Sequence, residues 1–328
     1  MQANQTPITY FIIKGISDDP QLHLLIFLLV LLIYLFILCS NLTILLACLD
    51  SRLHNPMYFF LGNLSILDIS CSTIALHKIL VHFISRDRNI SFAACMVQMH
   101  MFGSLTCVNL LILTAMSYDR YVAICKPLRY NMVMSTGVCA TLASASWVVG
   151  SLQTVPFTVI VWCFSCYSSI EINHFFCDII PIIKISCNDT SFLETLFLTE
   201  GLLTMLLMPF LLTVLSYIYI IHAILRIRSS SGRLKTFYTC SSHLTVVTLL
   251  YTTLFSQYLT PNLSSTLESK KRFALFNTAA VPLLNPLIYS LKNKDVKRAL
   301  KRFQCHSNPN QSLTPSHSSN SQGSPNGE

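Results

Sequence analysis

The chain has 328 residues, of which 52% are hydrophobic and only 11% charged. An ordinary soluble domain carries about 25% charged residues, because those side chains cover the surface that faces water. The composition therefore excludes an ordinary soluble enzyme, a disordered chain and a fibrous repeat, and leaves a protein whose solvent is mostly lipid. The formal net charge of +8 arises from 22 Lys and Arg against 14 Asp and Glu. In a soluble chain that excess would point to nucleic acid, whereas in a membrane chain its position decides its meaning.

A bilayer core about 30 Å thick is crossed by about 20 apolar residues in a helix. Seven stretches meet that length, at 22–49, 57–81, 94–119, 138–162, 193–225, 237–260 and 272–291. The first holds no Lys, Arg, Asp or Glu, and the second holds Asp68. Pro156, Pro209, Pro282 and Pro286 fall inside spans four, five and seven, where a proline marks a kink. No period of about 20–50 residues recurs, which excludes a solenoid.

Seven spans place the two termini on opposite sides of the membrane. Fourteen of the 22 Lys and Arg fall on one side, in the flank after span seven and in the loops after spans one, three and five. The basic side is cytoplasmic, so the N-terminus is expected outside. No basic segment with a short apolar stretch and cleavage site opens the chain, so no cleaved signal peptide is expected. Sequons at Asn4, Asn89, Asn188 and Asn262 lie outside, those at Asn41 and Asn63 lie within spans, and Asn310 lies inside. Asn4 is the expected glycosylation site.

Thirteen cysteines divide by topology. Cys39, Cys48, Cys71, Cys107 and Cys139 lie within spans and read as small packing residues. Cys95 stands at the outer end of span three, and Cys163, Cys166, Cys177 and Cys187 lie in or at the start of the second outer loop. Disulfides are expected there, because the outside is oxidising, and they would staple a long loop as a lid. Four cysteines permit three pairings, and the residues alone do not choose between them. Cys305, after the basic stretch, is a candidate for palmitoylation. The region from 305 to 328, rich in Ser, Asn, Pro and Gln, reads as a disordered tail.

Four motifs follow in order. Leu53-His-Asn-Pro-Met-Tyr-Phe-Phe-Leu61 follows span one, and Met116-Ser-Tyr-Asp-Arg-Tyr-Val-Ala-Ile-Cys125 closes span three. Lys235-Thr-Phe-Tyr-Thr-Cys-Ser-Ser-His-Leu244 opens span six, and Pro282-Leu-Leu-Asn-Pro-Leu-Ile-Tyr-Ser290 ends span seven. Together they resemble the odorant receptor branch of the rhodopsin-like G-protein-coupled receptors, over about residues 1–305. Tyr118 and Phe237 within these motifs are more similar to the land-vertebrate class than to the fish-like class.

The resemblance implies an all-α membrane protein: an outer N-terminus at 1–21, a seven-helix receptor domain at 22–291, an amphipathic juxtamembrane helix at 292–304, and the tail. It implies no cofactor and no enzyme activity. The partners implied are a small-molecule odorant, a heterotrimeric G protein and the lipid membrane, with no nucleic acid. With the resemblance in hand, the disulfides expected are Cys95–Cys177 and Cys166–Cys187. The resemblance assigns coupling and activation to Asp119, Arg120, Tyr121, Tyr217, Lys235, Asn285, Pro286 and Tyr289. Arg120 would be paired with Asp119 at rest and released when span six swings outward, and Tyr217 would serve as partner of Tyr289. Asn41, Asp68 and Asn109 would form a polar core with Asn285. Asn109 stands eleven residues before Arg120, where the family places a Glu, which puts sodium binding in doubt. Thr236 and Tyr238 depart from the family's Ala and Ser on the G-protein side.

The ligand pocket implied lies between spans three, five, six and seven. Its expected lining is Phe102, Gly103 and Thr106, then Gly201, Met205 and Leu206, then Tyr251, Leu254, Phe255 and Tyr258, then Thr278. Thr106, Thr278 and the tyrosines are the polar handles, with no charged side chain facing the region, so a neutral, hydrophobic, volatile-sized ligand is expected. Met99-His100-Met101 carries soft ligand types, but three consecutive helical residues do not converge on one ion, and no metal site is expected. A retinal protein would need a Lys in span seven, and residues 273–291 have none. A transporter or channel would show several intramembrane charges or inverted repeats. A related receptor for a nonvolatile or endogenous ligand stays open.

Overall fold

A computed structural model of the chain describes residues 8–16, 21–48, 55–85, 87–258 and 264–292. The sequon at Asn4, residues 293–304 of the expected amphipathic helix, and the tail lie outside these residues.

The first long helix, α1 (His23–Cys48), buries Val30, Ile37, Asn41, Ile44 and Ala47. These recur at intervals of three, four and seven, so they share one helical face. Its other faces turn Leu24, Leu25, Leu28 and Leu32 outward. Contiguous exposed apolar surface of this kind is foreign to a soluble monomer and belongs against lipid. Among the described residues, five helical stretches are long and apolar enough to cross a membrane: His23–Cys48, Pro56–Ser85, Phe92–Cys125, Thr136–Trp162 and Ser191–Leu225.

The second and third of these are α2 (Pro56–Ser85) and α3 (Phe92–Cys125). Ser91 starts α3 by accepting a hydrogen bond from the Ala94 N–H. A 3₁₀ turn at Pro127–Arg129 and a short α4 (Tyr130–Val133) lead into α5 (Thr136–Gln153), which Ser135 caps in the same way. The chain then runs through α6 (Val155–Trp162), α7 (Ile179–Ile185), α8 (Ser191–Leu196), α9 (Met208–Leu225), α10 (Ser230–Tyr258), α11 (Ser264–Leu275) and α12 (Val281–Lys292). α3 is the central strut, packed against α2, α5 and α9.

Three prolines coincide with irregular turns. The helix breaks at Thr154, two residues before Pro156. A π-helical stretch, Phe197–Leu207, joins α8 to α9 just before Pro209, and another, Phe276–Ala280, joins α11 to α12 before Pro282. Proline lacks an N–H and crowds the carbonyl one turn back, and a wider turn absorbs both faults. The helices also outlast the apolar spans: α3 runs to Cys125, α10 begins at Ser230 and α11 at Ser264. Hydropathy finds the segment that suits lipid, while a helix continues into water until a cap or breaker stops it.

One end of the bundle carries a three-stranded sheet in the order β2-β1-β3. β1 (Tyr10–Ile13) pairs antiparallel with β2 (Asn89–Ser91) and parallel with β3 (Glu171–Ile172). The purely helical expectation did not include it, because strands of two to four residues carry no readable alternation. An ion pair between Lys14 and Glu171, 3.0 Å long, pins β1 to β3. Disulfides join Cys95 to Cys177 and Cys166 to Cys187, with Cα separations of 5.4 and 5.3 Å.

α5 approaches α3 through small residues. A Cβ on Gly150 would sit 2.7 Å from Val108 Cγ2 and 2.8 Å from the Val108 backbone nitrogen. Neither helix backbone can yield locally, so Gly150→Ala must push α3 and α5 apart. We expect that substitution to lower the stability of the purified receptor by about 1–3 kcal/mol, read as a drop in its thermal midpoint. An unchanged midpoint would show that the close approach is not needed.

Candidate functional site

A cavity of about 110 Å³ lies at the sheet end of the bundle. α3 contributes Met99, Gly103, Thr106, Cys107 and Leu110, and the α5–α6 junction contributes Gln153, Thr154, Phe157 and Thr158. Phe197, Gly201, Leu202, Met205 and Leu206 come from the π-helical stretch, Leu254 and Tyr258 from α10, and Asp178 and Ile179 form the roof. The expected residues Gly103, Thr106, Gly201, Met205, Leu206, Leu254 and Tyr258 are brought together here. Phe102, Tyr251, Phe255 and Thr278 are not. Phe102 packs on Phe176 with ring centroids 4.5 Å apart, and Tyr251 and Phe255 pack on Phe210. The Thr278 hydroxyl donates back to the Ala274 carbonyl. The wall expected from span seven is supplied instead by the α5–α6 junction, because the break at Thr154 turns its polar side chains inward.

The polar groups of the cavity also differ from expectation. Thr154 Oγ1 lies 2.6 Å from Ser104 Oγ and 3.2 Å from His100 Nδ1, which is itself 3.1 Å from Thr158 Oγ1. Asp178, a charged residue type, faces a region where none was expected. Its carboxylate caps α7 by accepting from the Ile179 N–H at 2.8 Å, and Gln257 Nε2 donates to it at 3.3 Å. Burial pushes the Asp178 carboxyl up to about 6, against those two hydrogen bonds. Beside it, burial and then the charge of Lys271 push His174 down to about 3, so its imidazole is neutral at pH 7. That ring stacks on Phe175 at 4.6 Å and accepts a hydrogen bond from the Phe176 N–H.

At the opposite end, Arg120 Nη2 and Nε donate to Asp119 Oδ2 at 2.6 and 3.0 Å. The Tyr130 hydroxyl lies 2.8 Å from the other oxygen of Asp119 and 3.0 Å from Asn55 Oδ1. Burial, then the Asp119 charge, hold the Tyr130 phenol well above its ordinary range. Tyr121 stands against Tyr219, and Lys126 lies over the Tyr121 ring. The Tyr217 hydroxyl is 2.7 Å from His243 Nδ1, and the two rings are parallel. Tyr217 pairs here with His243, and the buried hydroxyl of Tyr289 has no partner among the described residues. Lys235 lies on α10, with its side chain outside the described residues.

Between the two ends, Asn285 Nδ2 donates to both carboxylate oxygens of Asp68 at 3.0 Å. Asn41 does not bond Asp68; its amide donates to the Ile37 and Pro282 carbonyls and so ties α1 to α12. Asn109 is buried, with its Oδ1 unbonded among the described residues. Pro286 lies within α12, three residues before Tyr289.

A model of the olfactory receptor family matches residues 30–307. The chain belongs to the olfactory receptor family. It is similar to olfactory receptor 2A25 of Homo sapiens, 46% identical over 304 residues, which cover 92% of this chain and 98% of that receptor. Olfactory receptor 2A7 of Mus musculus is 46% identical over 303 residues, covering 92% and 97%. Olfactory receptor 8U9 of Homo sapiens is 42% identical over 310 residues, covering 94% and 99%. The protein is thus an odorant receptor of the G-protein-coupled class, a multi-pass membrane protein and not an enzyme.

Several site residues of this olfactory receptor escaped the reading of its sequence. His243 stands in the Lys235–Leu244 motif, but its burial and its contact with Tyr217 follow from the packing of α10 on α9, which no local pattern shows. Asp178 follows Cys177 directly. Once Cys177 is bonded to Cys95 and its N–H donates to Gln98, the next residue must lie over the same part of α3 as Met99. Thr154 and Thr158 carried no such signal, since which way they face depends on the helix break.

Proposed function

We propose that this receptor takes a small, neutral, hydrophobic odorant into the cavity at the sheet end and couples to a heterotrimeric G protein of the stimulatory olfactory type, raising cyclic AMP. The observation that carries the reading is the cavity itself: about 110 Å³, walled by apolar side chains with a few hydroxyls, Gln153 and Asp178. Small-molecule sites have this character, with polar groups reserved for orientation. Asp178 disfavours a carboxylate ligand, and the wall offers no fixed cation to hold one. The reading places seven spans with the N-terminus and sheet outside, and Arg120, the helix at 292–304 and the tail at the cytoplasm. Asp119, Arg120, Tyr121, Tyr217, Lys235, Asn285, Pro286 and Tyr289 carry activation, with Asn41, Asp68 and Asn109 in the polar core.

The test is a panel of volatile alcohols, aldehydes, esters, amines and acids, with cyclic AMP read in cells co-expressing the olfactory stimulatory G protein. Neutral compounds should be the strongest agonists. Met205→Trp, which fills the cavity, should weaken the best agonist by at least about tenfold, with shorter homologues affected less. A receptor that prefers acids, or one indifferent to Met205→Trp, would overturn the assignment of this cavity.

A further inference from the structure

The roof of the cavity holds more hydrogen-bond acceptors than donors. Asp178 is buried and lines the cavity. Its Oδ1 accepts from the Ile179 N–H, and its Oδ2 accepts from Gln257 Nε2 over a long 3.3 Å. A carboxylate offers about four lone-pair sites, so about two stay open here. Gln257 is buried as well, and its Oε1 has no partner among the described residues. Buried acceptors left in this way are costly, and a donor placed among them is correspondingly favoured.

The rest of the polar wall does not choose between donors and acceptors. Thr106, Thr154, Thr158 and Tyr258 present hydroxyls and Gln153 an amide, and each of these groups can both give and take a hydrogen bond. An ionised carboxylate only takes one. Among the described lining residues, Asp178 alone is a strong acceptor that cannot donate. Its position also bears on signalling. The Cys95–Cys177 bond ties the preceding residue to α3, and Gln257 belongs to α10, so a ligand held by Asp178 sits where the roof meets α10.

We propose that Asp178 selects ligands that donate a hydrogen bond, and that the agonists of this receptor are small apolar alcohols, with the hydroxyl at the roof and the hydrocarbon among the apolar side chains. This deepens, and rests on, the reading of the cavity as the ligand site. An ammonium would also meet the carboxylate. It brings three donors and a full charge into a wall otherwise built of apolar groups and neutral hydroxyls, which leaves most of its hydration unreplaced. A ketone or methyl ether of the same shape brings only another acceptor and leaves the roof unfilled.

The test uses linear, branched and cyclic alcohols of about five to ten carbons, each with the carbonyl compound, methyl ether and primary amine of the same skeleton. Cyclic AMP is read in cells expressing the full-length receptor, with surface receptor measured alongside. The best alcohol should be at least about tenfold more potent than its carbonyl and ether counterparts. Asp178→Asn keeps an oxygen for the Ile179 N–H but turns the other position into a donor, so that ratio should fall at least about fivefold. A merely structural role would weaken all the agonists together and leave the ratio alone. If Asp178→Asn does not reach the surface, the unaltered receptor decides. Lowering the external pH from 7 to about 5 crosses the carboxyl's value of about 6, removes the acceptor, and should lower the ratio at least about twofold. His174 stays neutral over that range, and Lys271 beyond it, Tyr258 of α10 and Cys107 of α3 are an amine, a phenol and a thiol, types that keep their protons there. Alcohols no better than their counterparts, an amine that surpasses its alcohol, or a ratio unmoved by Asp178→Asn or by pH would overturn the proposal. A ratio unmoved while Met205→Trp still weakens the alcohol would strike Asp178 alone, whereas indifference to Met205→Trp would strike the cavity and this proposal with it.

Discussion

Cys177→Ser will remove most of the folded receptor from the cell surface. The Cys95–Cys177 bond closes a loop with a sequence separation of 82 residues, and chain-entropy reasoning gives such a bond about 4–5 kcal/mol. That is a large part of the roughly 5–15 kcal/mol by which proteins are normally stable. The loss would reach further than the bond. Cys177 is fully buried, its N–H donates to Gln98, and the neighbouring Phe175 and Phe176 pack against Phe102, His174 and each other. Cys166–Cys187 spans a separation of only 21 residues, and the same reasoning gives it about 3 kcal/mol. Cys166→Ser should therefore be milder, and Cys163→Ser, at an exposed free thiol, should be silent. Surface immunostaining and the thermal midpoint in detergent check the order. A Cys177→Ser receptor with normal surface level and midpoint would refute it.

What the sequence made legible was whatever local chemistry determines. The long apolar helices follow from runs such as 22–49, and the Asp119–Arg120 contact follows from two adjacent opposite charges in a nearly dry setting. What stayed hidden depends on rotation and distance. A single break at Thr154 turned Thr154 and Thr158 into the cavity and moved its wall from the last helix to the α5–α6 junction. Thr278, expected in the pocket from the resemblance, lies within a π-helical stretch at Phe276–Ala280, where its hydroxyl donates to the Ala274 carbonyl. Likewise, no local pattern says that Tyr10–Ile13 will pair with residues some 80 and 160 positions away.

Asp119→Asn should raise cyclic AMP in the absence of agonist, and Arg120→Ala should abolish the agonist response while surface receptor remains measurable. Arg120 is 12% exposed and Asp119 1%, so the pair is largely out of water. Charge-assisted bonds of this kind are the stronger ones, and the two from Arg120 meet at a single oxygen of Asp119. Asn keeps the shape but removes the charge, which leaves the guanidinium to seek water or another acceptor. Arg120 is then freer to turn from α3 toward the Tyr217–His243 pair on α9 and α10. A bias of about 1–2 kcal/mol toward the active arrangement multiplies its small resting population about five- to thirtyfold. If Arg120 also makes the G-protein contact, the gain must vanish in the double variant Asp119→Asn/Arg120→Ala. If instead the pair only anchors α3 at the interface, the double variant should signal like Asp119→Asn alone, with both changes visible only in the thermal midpoint. Measuring basal and agonist-evoked cyclic AMP across the four receptors separates the two roles, because a switch makes Arg120 dominant over Asp119 and an anchor does not.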